Sequence, residues 1–184
     1  MLPRLLCEKL CSLNPSVDRL AYSVVWRLNR DGTRVADSPV WYGRTIIRSC
    51  SKLDYGTAQA MIDGRITNED TSLWPEDRLP TDGHLTEDII SDIVLMNSIV
   101  QKRRTLRFQS GALSLNRVKL SFELDQIGNP IGMMEYPKGE SNNMIEEYML
   151  MAIFLVSEKI LETPKALVRN HSPPIFQNIQ QLLS

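Results

Sequence analysis

The sequence of 184 residues contains little cysteine, little net charge and no long apolar stretch. Its three cysteines, Cys7, Cys11 and Cys50, show no paired spacing, so we expect a reduced, intracellular protein rather than a disulfide framework. Lys and Arg number 21 against 22 Asp and Glu, which excludes a strongly basic nucleic-acid coat but leaves room for a local basic groove. No run approaches the roughly 18 apolar residues of a membrane span, and charges interrupt residues 1–13, which argues against a secretory signal.

The motifs of several enzyme classes are also missing. The two histidines, His84 and His171, have no Cys or Asp at zinc-ligand spacing, so a zinc site is not expected. The chain has no Gly-x-Ser-x-Gly elbow, no Walker lysine and no Gly-x-Gly-x-x-Gly loop. It also has no aspartate cluster suited to hold two divalent ions. We therefore predict no catalytic and no metal-binding residue within these 184 positions.

What the sequence does contain is a series of patterns typical of an α+β fold. Strands are predicted at 20–28, 40–50, 118–124, 131–136 and 166–168, and helices at 1–13, 54–62, 87–108, 140–162 and in a last segment that ends at 183. Turn signals at Asp31-Gly32 and Gly128-Asn129 separate the first two pairs of strands. Strands joined by tight turns indicate antiparallel hairpins packed with helices.

Residues 63–84 form the least regular stretch of the sequence. They contain two prolines, two glycines and several acidic residues, without any periodicity. This composition predicts a variable, solvated loop or an insertion. Because the whole length corresponds to about one domain, the loop is expected to lie inside that domain.

Two groups of basic residues are candidates for contact with a nucleic-acid backbone, because guanidinium forks suit phosphate oxygens. Arg44 and Arg48 lie four residues apart along a predicted strand and so share one face, although simple solvent exposure explains them equally well. The basic run at 102–104, with Arg107, ends a predicted helix. This run has two interpretations. It either contacts phosphate groups or forms a solvated face whose charge complements the helix dipole.

Glu146 and Glu147 interrupt a helix pattern that is otherwise dominated by Met, Ile, Leu and Ala. One of the two must lie near the apolar face. A buried carboxylate is costly unless it is paired, so this residue is either part of a structural ion pair or a site residue.

Longer segments of the sequence resemble a known family. MLPRLLCEKLCSLNP at 1–15 and ESNNMIEEYMLMA at 140–152 are similar to two characteristic segments of the RNase II (RNB) exoribonucleases. Shorter segments follow in the family's order, namely YGRTIIRSC at 42–50, FQSGAL at 108–113 and RNHSPP at 169–174. The segment WYGRTIIRSCSKLDY at 41–55 most resembles the eukaryotic Dis-three-like branch of the family. The resemblance covers the whole chain apart from the loop at 63–84.

The resemblance implies a processive 3′-to-5′ exoribonuclease. Such an enzyme threads single-stranded RNA into a channel and releases mononucleotides with the help of Mg²⁺. The resemblance also implies a cytoplasmic protein that takes part in the decay of mRNA and of uridine-tailed RNA. Decay factors are then candidate partners, whereas DNA and membranes are not expected as ligands.

The family's catalytic aspartates precede the MLPR segment, and its characteristic arginine segment follows the end of this chain. Residues 1–184 are therefore expected to be the middle of an RNB domain that holds no metal ligand and is inactive alone. One alternative is a catalytically inactive RNA-binding or partner-binding fragment of a degenerate gene copy, suggested by Ile153 where the family has Asn. Another is an unrelated α+β interaction module.

Four positions take a role from the resemblance. Tyr55 matches a tyrosine near the scissile end that influences the length of the last product, with a core aromatic as the alternative. Asn142 matches an asparagine that either caps a helix or faces RNA, and Glu146 and Glu147 match paired glutamates, at least one of which faces the 3′-terminal nucleotide. The predicted RNA-binding residues are therefore Tyr55, Asn142, Glu146, Glu147, Arg44 and Arg48.

Overall fold

The computed structural model of the protein describes residues 3–113, 120–135, 138–169 and 172. Its elements are, in chain order, a short helix with π-type hydrogen bonding (Leu5–Leu10), strands β1 (Asp18–Val25) and β2 (Trp41–Arg48), helix α1 (Tyr55–Ile62), a 3₁₀ turn (Glu76–Arg78), helix α2 (Thr86–Gln109), strands β3 (Leu120–Leu124) and β4 (Pro130–Glu135), and helix α3 (Glu140–Leu161). Within these ranges, no helix has the length and apolar character needed to cross a membrane.

The strands form two antiparallel hairpins. The first hairpin, β1–β2, pairs Asp18 with Arg48 and Tyr22 with Arg44. The second hairpin, β3–β4, shifts its register after Glu123, as a β-bulge does. In the described part of the chain each hairpin remains a separate two-stranded sheet. Helices combined with antiparallel hairpins confirm the predicted α+β class.

The hydrophobic core lies between α1, α2 and the loop that connects them. Met61 of α1 and Ile90 of α2 are buried together with Ile66 and Trp74 of the loop. The indole Nε1 of Trp74 donates a hydrogen bond to the carbonyl of Arg78 at 3.0 Å, which satisfies its polar atom. The loop is irregular, as predicted, apart from its 3₁₀ turn. The expectation of a solvated loop holds only in part, because Ile66 and Trp74 are buried in the core whereas Leu73 is exposed.

Helix α3 packs against both α1 and α2. Its buried apolar side chains, Met144, Met151 and Leu155, recur at helical spacing and form one stripe. The Tyr42 hydroxyl donates a hydrogen bond to the Leu155 carbonyl at 2.8 Å, which ties the first hairpin to the second half of α3.

The turn of the first hairpin packs on the second half of α2. Lys102 Nζ donates to the carbonyl of Arg30 at 3.0 Å, and Arg103 Nη1 donates to the carbonyl of Gly32 at 3.3 Å. Gly32 has a φ of 85°, and a Cβ at this position would lie 2.6 Å from the backbone nitrogen of Arg103. Position 32 therefore requires glycine both for its backbone angle and for space.

The predicted ends of the long helices agree with the structure to within one residue, as shown by α2 and α3. The short strand predicted at 166–168 is wrong, because these residues are described without strand pairing. The last helix, most of the turn at 169–174 and the outer ends of the second hairpin, at 118–119 and at 136, lie outside the described residues.

Candidate functional site

The candidate site begins at the first turn of α1. The side chain of Asp54 caps this helix by accepting a hydrogen bond from the Thr57 amide at 2.7 Å, and it also pairs with Arg78. Tyr55 follows as the first helical residue and is 46% exposed. Its position at a helix start agrees with the prediction, while the alternative of a core aromatic is wrong because the residue is not buried.

The start of α3 lies directly against Tyr55. Ser141 is buried, and its hydroxyl donates a hydrogen bond to the Tyr55 carbonyl at 2.9 Å. The Ser141 amide donates to Gln59 Oε1 of α1 at 3.0 Å. Asn142 Oδ1 accepts a hydrogen bond from the Gly139 amide at 3.0 Å, so this amide oxygen caps its own helix. The structure thus brings Tyr55 and Asn142 to the same junction between α1 and α3.

The two neighbouring glutamates of α3 have different environments. Glu147 is 1% exposed and accepts three hydrogen bonds from Arg107 of α2, two from Nε at 2.9 and 3.1 Å and one from Nη2 at 2.5 Å. Arg104 adds a second positive charge, with Nη1 at 3.5 Å from Oε1 of the same carboxylate. The buried carboxylate of Glu147 therefore forms an ion pair with these arginines, as one of the two alternatives from the sequence required, while its role toward RNA stays a prediction.

Glu146 faces the other way and keeps 40% of its side chain exposed. Lys138 Nζ donates to Glu146 Oε2 at 2.6 Å. This hydrogen bond is the main reason why the pKa of Glu146 lies below its usual value, and the charges of Lys138, Arg104 and Arg107 lower it further against a partial desolvation. Glu146 thus presents an ionised carboxylate at the surface.

The basic run of α2 serves intramolecular contacts. Lys102 and Arg103 bind the turn of the first hairpin, and Arg104 and Arg107 bind Glu147. The guanidinium carbons of Arg104 and Arg107 also lie 5.1 and 4.8 Å from the centre of the Phe108 ring. The hydrogen bond to Glu147 raises the pKa of Arg107. Neither a freely solvated face nor a free phosphate-binding cluster describes this run.

The other two predicted residues lie on the first hairpin. Arg44 and Arg48 share the face of β2 that also carries Tyr42, as the alternation along a strand requires. Arg48 Nε pairs with Asp18 Oδ1 at 2.7 Å, whereas Arg44 is exposed. Within the described residues, no hydrogen bond or ion pair joins either arginine to Tyr55 or to the three candidates on α3, so the structure does not bring all six candidates together.

The described residues do not form a metal site. Among them there is no group of three or more His, Cys, Asp or Glu side chains that could hold a metal ion. Three carboxylates in or beside the candidate site have basic partners, Asp54 with Arg78, Glu146 with Lys138 and Glu147 with Arg107. The described residues therefore do not fit Mg²⁺.

The sequence matches a known family over its whole length. The protein-family model with the description RNB domain matches residues 1–184, so the chain belongs to the RNB-domain family. Among its relatives, DIS3-like exonuclease 2 of Schizosaccharomyces pombe is 37% identical over 184 residues, which cover 98% of this chain and 19% of the relative. The protein named Inactive exonuclease DIS3L2 of Arabidopsis thaliana is 38% identical over 184 residues, which cover 98% of this chain and 17% of the relative. The chain therefore spans about a fifth of the length of these curated relatives.

The fold is that of a solved RNB protein. The structure of Mycoplasma genitalium RNase R in complex with ribose methylated single-stranded RNA superimposes with a TM-score of 0.80 at 19% sequence identity. The match covers 98% of this chain and 26% of the RNase R chain. The family and the fold that the sequence segments predicted are thus confirmed, whereas the roles of the six candidate residues stay predictions.

Proposed function

We propose that this chain forms an RNA-contacting part of a 3′-to-5′ exoribonuclease. The observation that carries the proposal is the junction of α1 and α3, where the hydrogen bond from Ser141 to Tyr55 joins two helices that present an exposed aromatic ring and the ionised carboxylate of Glu146. An aromatic ring stacks on any base, and a carboxylate accepts hydrogen bonds from ribose hydroxyls. Both contacts are independent of base sequence, which suits an enzyme that degrades RNA step by step.

Glu146 is the glutamate that we propose to face RNA. Its carboxylate is at the surface, whereas the carboxylate of Glu147 is buried under two arginines. Asn142 then contributes through the amide nitrogen of its side chain, because its amide oxygen is used as a helix cap. Arg44, which is exposed on the first hairpin, provides a separate phosphate contact, and Arg48 has a weaker role because Asp18 neutralises it.

Family membership supports the wider activity that we propose. The relative in Schizosaccharomyces pombe is named an exonuclease, and the superimposed RNase R is bound to single-stranded RNA. We propose single-stranded RNA as the substrate, processive degradation, and Mg²⁺ bound by residues other than those described. We further propose that the protein acts in the cytoplasm together with mRNA-decay factors.

A second function, RNA or partner binding without catalysis, has its own support. The Arabidopsis relative with 38% identity is named an inactive exonuclease, so overall similarity does not separate the two functions. The substitution of the family's Asn by Ile153, which is exposed on α3, favours a divergent copy as well. Degradation and binding of RNA must therefore be measured on the same preparation.

The test uses protein expressed from its complete coding sequence and a 5′-labelled single-stranded RNA. We expect degradation that requires Mg²⁺, and we expect Tyr55→Ala to change the length of the final oligonucleotide more than the rate. Phe122→Ala is the matched control, because it removes another exposed aromatic ring, from the second hairpin, which carries none of the six candidate residues. An unchanged product length in Tyr55→Ala would remove this residue from the site, and an equal change in Phe122→Ala would show that the effect is not specific to the site. RNA binding without any degradation would establish the second function.

A further inference from the structure

We infer that Arg107, assisted by Arg104, is a positioning residue that holds α3 so that Glu146 and Asn142 face RNA. This inference rests on the proposed function. It concerns residues of α2 that do not themselves touch the proposed site. Their effect is transmitted through Glu147, the buried neighbour of Glu146.

The contact between Arg107 and Glu147 fixes orientation as well as charge. Three hydrogen bonds from one planar guanidinium to one carboxylate restrict the position of both groups, which a lysine ammonium cannot reproduce. The guanidinium also lies over the ring of Phe108, next to Arg107 on α2. The two helices are therefore held at this point in one rotational setting.

Helix α3 has a second fixed point at Ser141, six residues before Glu147. Ser141 is buried and bound to α1 by both its hydroxyl and its amide. Six residues of α-helix correspond to about 9 Å, so the two fixed points enclose the first two turns of α3. Asn142 and Glu146 lie inside this segment. Consecutive side chains of a helix point in directions about 100° apart around its axis. Holding Glu147 toward α2 therefore turns the side chain of Glu146 toward the surface.

The same arginines act on Glu146 through their charge. Lys138 is the main partner of Glu146, and the positive charges of Arg104 and Arg107 also favour the ionised form of its carboxylate. An apolar contact at the position of Glu147 would anchor the helix without this field. The pair of arginines thus orients α3 through Glu147 and adds a minor electrostatic contribution at Glu146, which ordinary apolar packing would not supply.

A double-mutant cycle tests the inference in protein expressed from its complete coding sequence, with RNA affinity and final product length as the readouts. We expect Glu146→Ala to weaken RNA binding by about tenfold, as for the loss of a hydrogen bond to a charged group. Arg107→Lys should also weaken RNA binding. Asn142 is also held by its own cap at Gly139, so the effect of Arg107 on RNA binding should pass mainly through the Glu146 carboxylate. The double variant should then match Glu146→Ala to within about twofold. If Arg107→Lys does not fold, Arg104→Gln replaces it, since Arg104 makes the longer contact of 3.5 Å.

Met151→Ala is the matched structural control, because Met151 is buried on α3 one turn beyond Glu147. It should lower the melting temperature while leaving the product length unchanged. Independent, multiplying effects of Arg107→Lys and Glu146→Ala would overturn the inference. The inference would also fail if Met151→Ala lowered the melting temperature as much as Arg107→Lys does and changed the product length by the same amount. If Glu146→Ala alone has no effect, the proposed site itself fails, and this outcome is distinct from the other two.

Discussion

The helical part of the molecule and the second hairpin contain similar apolar residues but differ in what covers them. Met61, Trp74 and Leu155 are almost completely buried among the helices and the loop. In the second hairpin the large apolar side chains, such as Phe122 and Met133, remain more than half exposed. Alternation along a strand predicts a hairpin, but the hydrophobic effect stabilises it only where another surface removes these side chains from water. Among the described residues, the helices and the loop thus bury far more of their apolar side chains than the second hairpin does, and we expect them to contribute more to stability.

The largest effect that distinguishes the two regions should come from truncating an apolar side chain in each. Leu155→Ala leaves a cavity on α3 and should lower the free energy of unfolding by about 3 kcal/mol. Phe122→Ala in the second hairpin should change it by less than about 1 kcal/mol, since the ring is 57% exposed. Urea denaturation of both variants measures the difference. Equal losses would show that the hairpin is covered in the folded protein.

A smaller effect should follow from removing one aspartate in each region. Asp54→Ala deletes the cap of α1 and should lower the free energy of unfolding by about 1 kcal/mol. In the second hairpin, Asp125 accepts hydrogen bonds from the amides of Ile127 and Asn129 at 2.9 and 2.8 Å. Asp125→Ala should speed hydrogen exchange at these two amides and leave global stability nearly unchanged. A global loss as large as that of Asp54→Ala would contradict the independence of the hairpin.

The smallest effect concerns pH and the exposed pair of Lys138 and Glu146. Because the pKa of Glu146 is lower in the folded state than in the unfolded state, the pair stabilises the fold above the ordinary carboxyl pKa, and this stabilisation disappears as the pH falls through the folded value. Lys138→Met should therefore lower the melting temperature slightly at pH 7 and hardly at a pH below the folded-state pKa of Glu146. It should also raise the pKa of Glu146 in an NMR titration. An unchanged pKa would show that Lys138 does not govern this carboxylate.

Local signals in the sequence were sufficient for most of the secondary structure. The ends of α2 and α3 were predicted to within one residue, because helix starts and stops depend on neighbouring residues. The short strand at 166–168 was not found, since a brief apolar run specifies no pairing partner.

Contacts between distant residues were not predictable in the same way. The burial of Trp74 in a loop depends on α1 and α2, and the ion pair of Glu147 joins residues that are 40 positions apart. Two signals for that pair are present in the sequence, namely one carboxylate near an apolar stripe and two arginines three positions apart on one helix. The partners themselves were visible only in three dimensions.

The hydrogen bond between Gln59 and the amide of Ser141 has a consequence for the order of assembly during folding. It spans 82 positions of the chain, so the first turn of α3 obtains this acceptor only after α1 has formed and the intervening chain has closed into a loop. The middle of α3 can become helical earlier through its own local bonds. We expect its beginning to be completed only when the helix docks, because contacts of this range slow folding.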